Sequence, residues 1–171
     1  KSILNEYLGK VRPRKAEAFL TLRFAAGECA QVDWGEWGSV AVGSTLRRLS
    51  FFVMVLCHSR MLYLCFTLGQ AMEHFLECHR KAFEFFEGVP HRIMVDNLKC
   101  AVLRRLVGQA PVLNGRYRDF AKLHGFEISP CSVGKGNEKG RVESAVGFVK
   151  KNLLEGLEIP HFEVLGPLAR E

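Results

Sequence analysis

Asp33, Asp96 and Glu143 are placed where three carboxylates could share metal ions. Asp33 closes the segment Ala30-Gln31-Val32-Asp33-Trp34, and Asp96 closes the apolar run Arg92-Ile93-Met94-Val95-Asp96-Asn97. Glu143 lies in Lys139-Gly140-Arg141-Val142-Glu143-Ser144-Ala145-Val146, at the start of a helix-like stretch. The chain has three Asp residues, Asp33, Asp96 and Asp119, and two of them end strand-like segments. A carboxylate at such a place is costly unless something neutralises it. Magnesium prefers oxygen ligands. Two carboxylates from strand ends and one from a helix suit a metal pair for phosphoryl transfer. At ~4 Å two such charges repel by about 4 kcal/mol at an effective dielectric of 20, so the empty site is expected to be strained and metal to order it. The same residues also admit a plainer reading, as helix caps or solvent-facing carboxylates.

The elements that must position these residues are legible from periodicity. Glu28 to Trp34 reads as a strand, followed by a glycine-rich turn at Gly35 and Gly38. Arg48 to Cys57 and Met61 to Leu68 are two β-prone runs, joined at hairpin length by His58-Ser59-Arg60. Met72 to Phe86 has a helical apolar stripe that includes His79, read as a packed core histidine. Gly88-Val89-Pro90 stops that helix. His91 to Asp96 is a fourth strand, Asn114 to His124 a helix ended by Gly125, and Phe126 to Ser129 a fifth strand. Pro130 to Asn137 is a loop, and Glu138 to Leu154 is a long helix whose buried stripe is Val142, Val146 and Val149. The order β-β-β-α-β-α-β-α predicts an α/β domain, a mixed five-stranded sheet flanked by helices. The first and fourth strands are expected side by side at its centre.

Composition supports a packed globule. The chain has 171 residues, 48% of them hydrophobic, with 13 Phe and a net charge of +6. That length suits one domain with its own core. The positive balance fits a polyanionic partner such as DNA. No apolar run reaches membrane-spanning length. The six cysteines form no C-x-x-C pair, which disfavours a zinc ribbon. Cys57, Cys65 and Cys78 read as small buried hydrophobes in a reduced, cytoplasmic setting. The opening Lys is expected of a piece of a longer chain. The expected organisation is lead-in helices or linker over 1–26, a core over 27–155, and a tail or linker over 156–171.

This order, with these residues, resembles the ribonuclease H-like catalytic core of the DDE transposases and retroviral integrases. Gln31-Val32-Asp33-Trp34-Gly35, Val95-Asp96-Asn97-Leu98-Lys99 and Lys139-Gly140-Arg141-Val142-Glu143, running into Val146-Gly147-Phe148-Val149-Lys150, are most similar to the IstA type of insertion-sequence transposase. The separation from Asp96 to Glu143 is 47 positions (143 minus 96), longer than in compact integrases, and the surplus is expected within Cys100 to Leu113.

The resemblance implies metal-dependent nicking at a transposon 3′ end and strand transfer into target DNA. Asp33, Asp96 and Glu143 are then the catalytic triad and the ligands of two Mg2+ or Mn2+ ions per site. Lys99, Lys135, Lys139, Arg141 and Lys150 are DNA-backbone contacts in this reading, or a solvated basic surface in the plainer one. The partners implied are transposon-end and target DNA, further copies of the chain on that DNA, and an AAA+ helper ATPase, with no membrane. The setting implied is the bacterial cytoplasm, at the nucleoid. A ribonuclease H-like nuclease, or a non-catalytic DNA-binding or assembly domain, is the alternative. A doubly wound nucleotide-binding domain is disfavoured, because no glycine fingerprint follows the first strand. Gly134-Lys135-Gly136 lacks the phosphate-loop pattern. Trp34 and Trp37 are expected to pack.

Overall fold

A computed structural model describes residues 23–95, 101–104, 111–131, 140–156, 161–162 and 165. Period-two runs of β-branched and aromatic residues build the sheet. Its strands are β1 (Cys29–Val42), β2 (Thr45–Leu56), β3 (Leu62–Thr67), β4 (Arg92–Val95) and β7 (Glu127–Pro130), in spatial order β3-β2-β1-β4-β7. β1 to β3 form an antiparallel meander, whereas β4 runs parallel to both β1 and β7. A small hairpin of β5 (Val102–Arg104) and β6 (Val112–Leu113) occupies part of the segment expected to hold the surplus length.

The helices are α1 (Met72–Phe85), α2 (Gly115–His124) and α3 (Gly140–Phe148), the last continuing as a π-helix over Val149–Leu154. α2 starts on Asn114, whose side chain accepts from the Arg116 N–H, and stops on Gly125 at φ 76°. That is the left-handed position that favours glycine. The expected single α-helix to Leu154 is thus replaced in its last turns by π geometry. Val149 and Leu154, five residues apart, are both buried there. In an α-helix they would lie about 140° apart.

Strand alternation divides the core into two layers. Ala30, Val32, Phe52, Met54, Ile93 and Val95 pack with Phe75, Cys78 and Ala82 of α1 and Tyr117 and Ala121 of α2. Phe51, Val53, Val55, Leu64 and Phe66 face the other way and pack with Val142, Ala145 and Val149. Leu165 is buried in this second layer, and His161 bridges Ala41, so part of the segment expected as a tail lies on the core.

The glycine-rich turn expected at Gly35 and Gly38 is instead strand. β1 continues to Val42, with an irregularity in its pairing between Trp37 and Ser39. Gly38, at φ 45°, supplies the left-handed residue there. Gly35 pairs with Phe51, whose ring fills the space a side chain would need.

Candidate active site

The strand β1 places Gln31 and Asp33 on one face, two residues apart, and that face receives α3. Asp33 lies opposite Val53 of β2. It is half-buried, and its Oδ1 accepts the N–H of Trp34 at 2.9 Å. On the other side of β1, among the described residues, the pairing with β4 runs from Cys29 and Arg92 to Val32 and Val95. Those two residues immediately precede Asp33 and Asp96 in the sequence. Asp96 itself lies outside the described residues.

Glu143 is the fourth residue of α3 and is exposed. Val142, beside it, is fully buried. The Val142 N–H is one of the first-turn donors that no helical carbonyl can reach. It donates instead to Oε1 of Gln31 at 3.1 Å. Gln31 is itself fully buried, and its Nε2 lies 3.8 Å from Sδ of Met94, its neighbour on β4. One side chain therefore joins β1, β4 and the start of α3 two residues from Asp33 and one from Glu143. Sequence reasoning passed over Gln31. The available signal was an amide between Ala30 and Val32 in a core strand, which must find a partner once buried.

Of the basic residues expected at the site, Arg141 is half-buried with its guanidinium 4.8 Å from the centre of the Phe24 ring. Lys150 is half-buried in the π-helix, beside the buried Val149. Lys99, Lys135 and Lys139 lie outside the described residues. Both tryptophans pack as expected: Trp34 meets Phe52 edge-on at 5.5 Å, and Trp37 joins the layer under α3. His79 is the core histidine foreseen, with Nδ1 2.7 Å from the Phe75 carbonyl and Nε2 3.2 Å from the Tyr117 hydroxyl.

Oxygen donors suit a hard divalent cation. Asp33 presents a carboxylate with solvent access on the strand that Gln31 ties to the start of Glu143's helix, which fits such an ion. Among the described residues, no three His, Cys, Asp or Glu side chains gather as a metal centre. Asp96 is not in that set.

The model of the integrase core domain family matches residues 25–136, a span that holds Asp33 and Asp96 but not Glu143. The chain belongs to the integrase core domain family. This integrase core domain is 34% identical over 167 residues to a putative transposase of insertion sequence IS5376 from Geobacillus stearothermophilus. The match covers 96% of the chain and 41% of that protein. It is 33% identical over 130 residues to a transposase of an IS21-like element from Bacteroides fragilis, covering 75% of the chain and 25% of that protein. The domain thus spans about two fifths or less of these relatives.

Its fold is shared with a chain of a simian T-cell lymphotropic virus intasome solved in complex with the PP2A regulatory subunit B56 gamma, at TM-score 0.60 and 16% identity, covering 84% of this chain and 47% of that one. The HTLV-2 integrase catalytic core domain, solved in complex with magnesium, gives TM-score 0.59 at 16% identity, covering 84% and 81%. The integrase core domain described here therefore has the ribonuclease H-like architecture.

Proposed function

We propose that this domain is the catalytic core of an IstA-type insertion-sequence transposase. It nicks transposon 3′ ends and transfers them to target DNA. The observation that carries this reading is the Gln31–Val142 hydrogen bond, which ties the strand bearing Asp33 to the first turn of the helix bearing Glu143. The pairing of Val32 with Val95, one residue before Asp33 and Asp96, supports the second ligand. The HTLV-2 core solved with magnesium supports the choice of ion.

Asp33, Asp96 and Glu143 would hold two Mg2+ or Mn2+ ions. When bound, such ions stabilise charge at phosphorus and lower the pKa of the attacking hydroxyl. Asp33 keeps its carboxylate fixed by the Trp34 N–H. Gln31 fixes the helix start, so Glu143 swings only about its own side-chain bonds. Lys99, Lys135, Lys139, Arg141 and Lys150 hold the DNA backbone by charge, without reading sequence. In this reading residues 27–155 are the catalytic core, 1–26 a lead-in and 156–171 a tail or linker. The full-length protein assembles as a multimer on transposon-end and target DNA with an AAA+ helper ATPase, in the bacterial cytoplasm at the nucleoid.

The test is strand transfer by the full-length protein, using pre-nicked ends with magnesium or manganese. Asp33→Asn and Glu143→Gln should each abolish joining while DNA binding stays near normal. Joining that survives either substitution would remove that residue from the site.

A further inference from the structure

The far edge of the sheet carries a pair of thiols that phosphoryl transfer does not use. Cys65 lies in the edge strand β3 and turns to the α1 side of the sheet, as does Tyr63 two residues before it. Cys78 stands on the surface of α1 that meets this strand. Both cysteines line an open cavity of about 230 Å3, with His74, Glu77, Lys81 and Phe162 in its walls. Cys65 is half-buried, whereas Cys78 is 1% exposed. Of the two, Cys65 is therefore the one more open to solvent.

The surroundings favour a thiolate at Cys65. Cys78 beside it does most to favour the charged sulfur, and the Tyr63 hydroxyl and the Lys81 ammonium add to that effect. Burial and the Glu77 carboxylate work against them. The balance lowers the Cys65 thiol to about 6, while the same contact and burial push the Cys78 thiol up. A low-lying accessible thiolate beside a protonated partner is the arrangement of redox-sensitive cysteines. The other thiol pair, Cys29 and Cys57, is 2% and 3% exposed and lies on the α3 side of the sheet.

We propose that Cys65 and Cys78 form a hydroperoxide-sensitive dithiol, in which Cys65 attacks and Cys78 resolves. The Cys65 thiolate attacks one peroxide oxygen, and the O–O bond breaks. Cys65 becomes a sulfenic acid, and the other oxygen leaves with a proton from solvent as water or alcohol. The Cys78 sulfur then attacks the Cys65 sulfur. The S–O bond breaks, the Cys78 proton leaves with the hydroxide as water, and a disulfide forms. Two thiols lose two electrons in total and one hydroperoxide gains them. The product ties the edge strand covalently to α1.

The test treats the 171-residue chain with hydrogen peroxide, blocks the remaining thiols, and maps the peptides by mass spectrometry. A Cys65–Cys78 linked peptide should be the first product, formed within one chain, with Cys29, Cys57, Cys100 and Cys131 still alkylated after denaturation. Cys78→Ser should accumulate a dimedone-trappable sulfenic acid at Cys65, and Cys65→Ser should leave Cys78 untrapped. In the unmutated chain, alkylation of Cys65 by iodoacetamide should reach half its maximal rate near pH 6. First oxidation at another cysteine, a link between chains, or half-maximal alkylation near an ordinary thiol pKa of about 8.5 would overturn the proposal.

Discussion

The side-chain amide of Gln31 accepts the backbone N–H of Val142 at 3.1 Å, joining a strand and a helix 111 positions apart in the chain. The bond is fully buried and stands one residue from Glu143. Gln31→Met keeps the length of the side chain and removes the acceptor. The Val142 N–H is then left buried and unpaired, which costs about 1–3 kcal/mol. Urea denaturation should show that loss. Strand transfer by the full-length variant should fall by more than DNA binding does, because the start of the helix under Glu143 is freed. An unchanged denaturation midpoint would mean that the helix start is held by other contacts.

Gly35 is two residues past Asp33 on the same face, and a Cβ there would come within 2.0 Å of the Phe51 ring. Phe51 is fully buried, so its ring has nowhere to retreat. Gly35→Ala should therefore overpack the layer under α3 and destabilise by about 1–3 kcal/mol. Gly35→Ala combined with Phe51→Leu should recover part of that loss. Thermal denaturation of the single and double variants checks both statements.

Much of the fold was legible because its signals are local. The runs at Arg48–Cys57 and Met61–Leu68, the helix stripe over Met72–Phe86, and Asn114 with Gly125 around α2 all announce themselves within a few residues. What was not legible depends on partners far away in sequence. Gly35 looks like a turn residue until Phe51 is set against it across the sheet. Gln31 looks incidental until α3 arrives. Cys65 and Cys78 read as small hydrophobes, because nothing in the sequence sets a strand edge and a helix around one cavity. The π-helix was hidden for the same reason, since Leu154 is buried against a layer built from strands far away in the chain. Of the carboxylates, the sequence indicated Asp33 at a strand and Glu143 near a helix start. The tie between those two elements needed the fold.

His79 gives a pH dependence with a definite sign. Burial lowers its imidazole from an ordinary 6.5 to about 4, against the raising effect of its bond to the Phe75 carbonyl and with a small lowering from His124. The unfolded chain therefore takes up a proton first as pH falls. The stability that neutral His79 contributes is full above pH 6.5 and is lost between 6.5 and about 4, amounting to roughly 3 kcal/mol at the limit. Denaturation midpoints of the unmutated chain should fall between pH 7 and pH 5. His79→Gln should be less stable at pH 7 yet flatter over that interval. Parallel curves for the two chains would assign the pH dependence to other groups.

Lys150 lies beside the buried Val149 and keeps partial exposure. If it holds a DNA phosphate, Lys150→Ala should weaken binding of the full-length protein equally across unrelated sequences. The slope of log affinity against log salt should shrink by about 0.9. Filter binding at several salt concentrations gives that slope directly. An unchanged slope would place Lys150 on the solvated surface.

The π register makes a sharper prediction at the last two residues of the helix, Leu153 and Leu154. After Val149, an α-helix would return to the core four residues on, at Leu153. The π-helix, with its i to i+5 bonds, returns five residues on, at Leu154. The two leucines differ as that geometry requires: Leu154 is fully buried, whereas Leu153 is half-buried at the margin of the same layer. The Glu155 N–H donates to the Lys150 carbonyl at 2.9 Å, which is the i to i+5 spacing at the end of the segment. Leu154→Ala should then cost about 2–5 kcal/mol, as expected for emptying a packed core site. Leu153→Ala should cost markedly less, because its neighbours already share it with solvent. Chemical denaturation of the two variants side by side decides the matter. The reverse order would mean that the helix stays α through Leu154, and the direction in which Lys150 is presented would have to be redrawn with it.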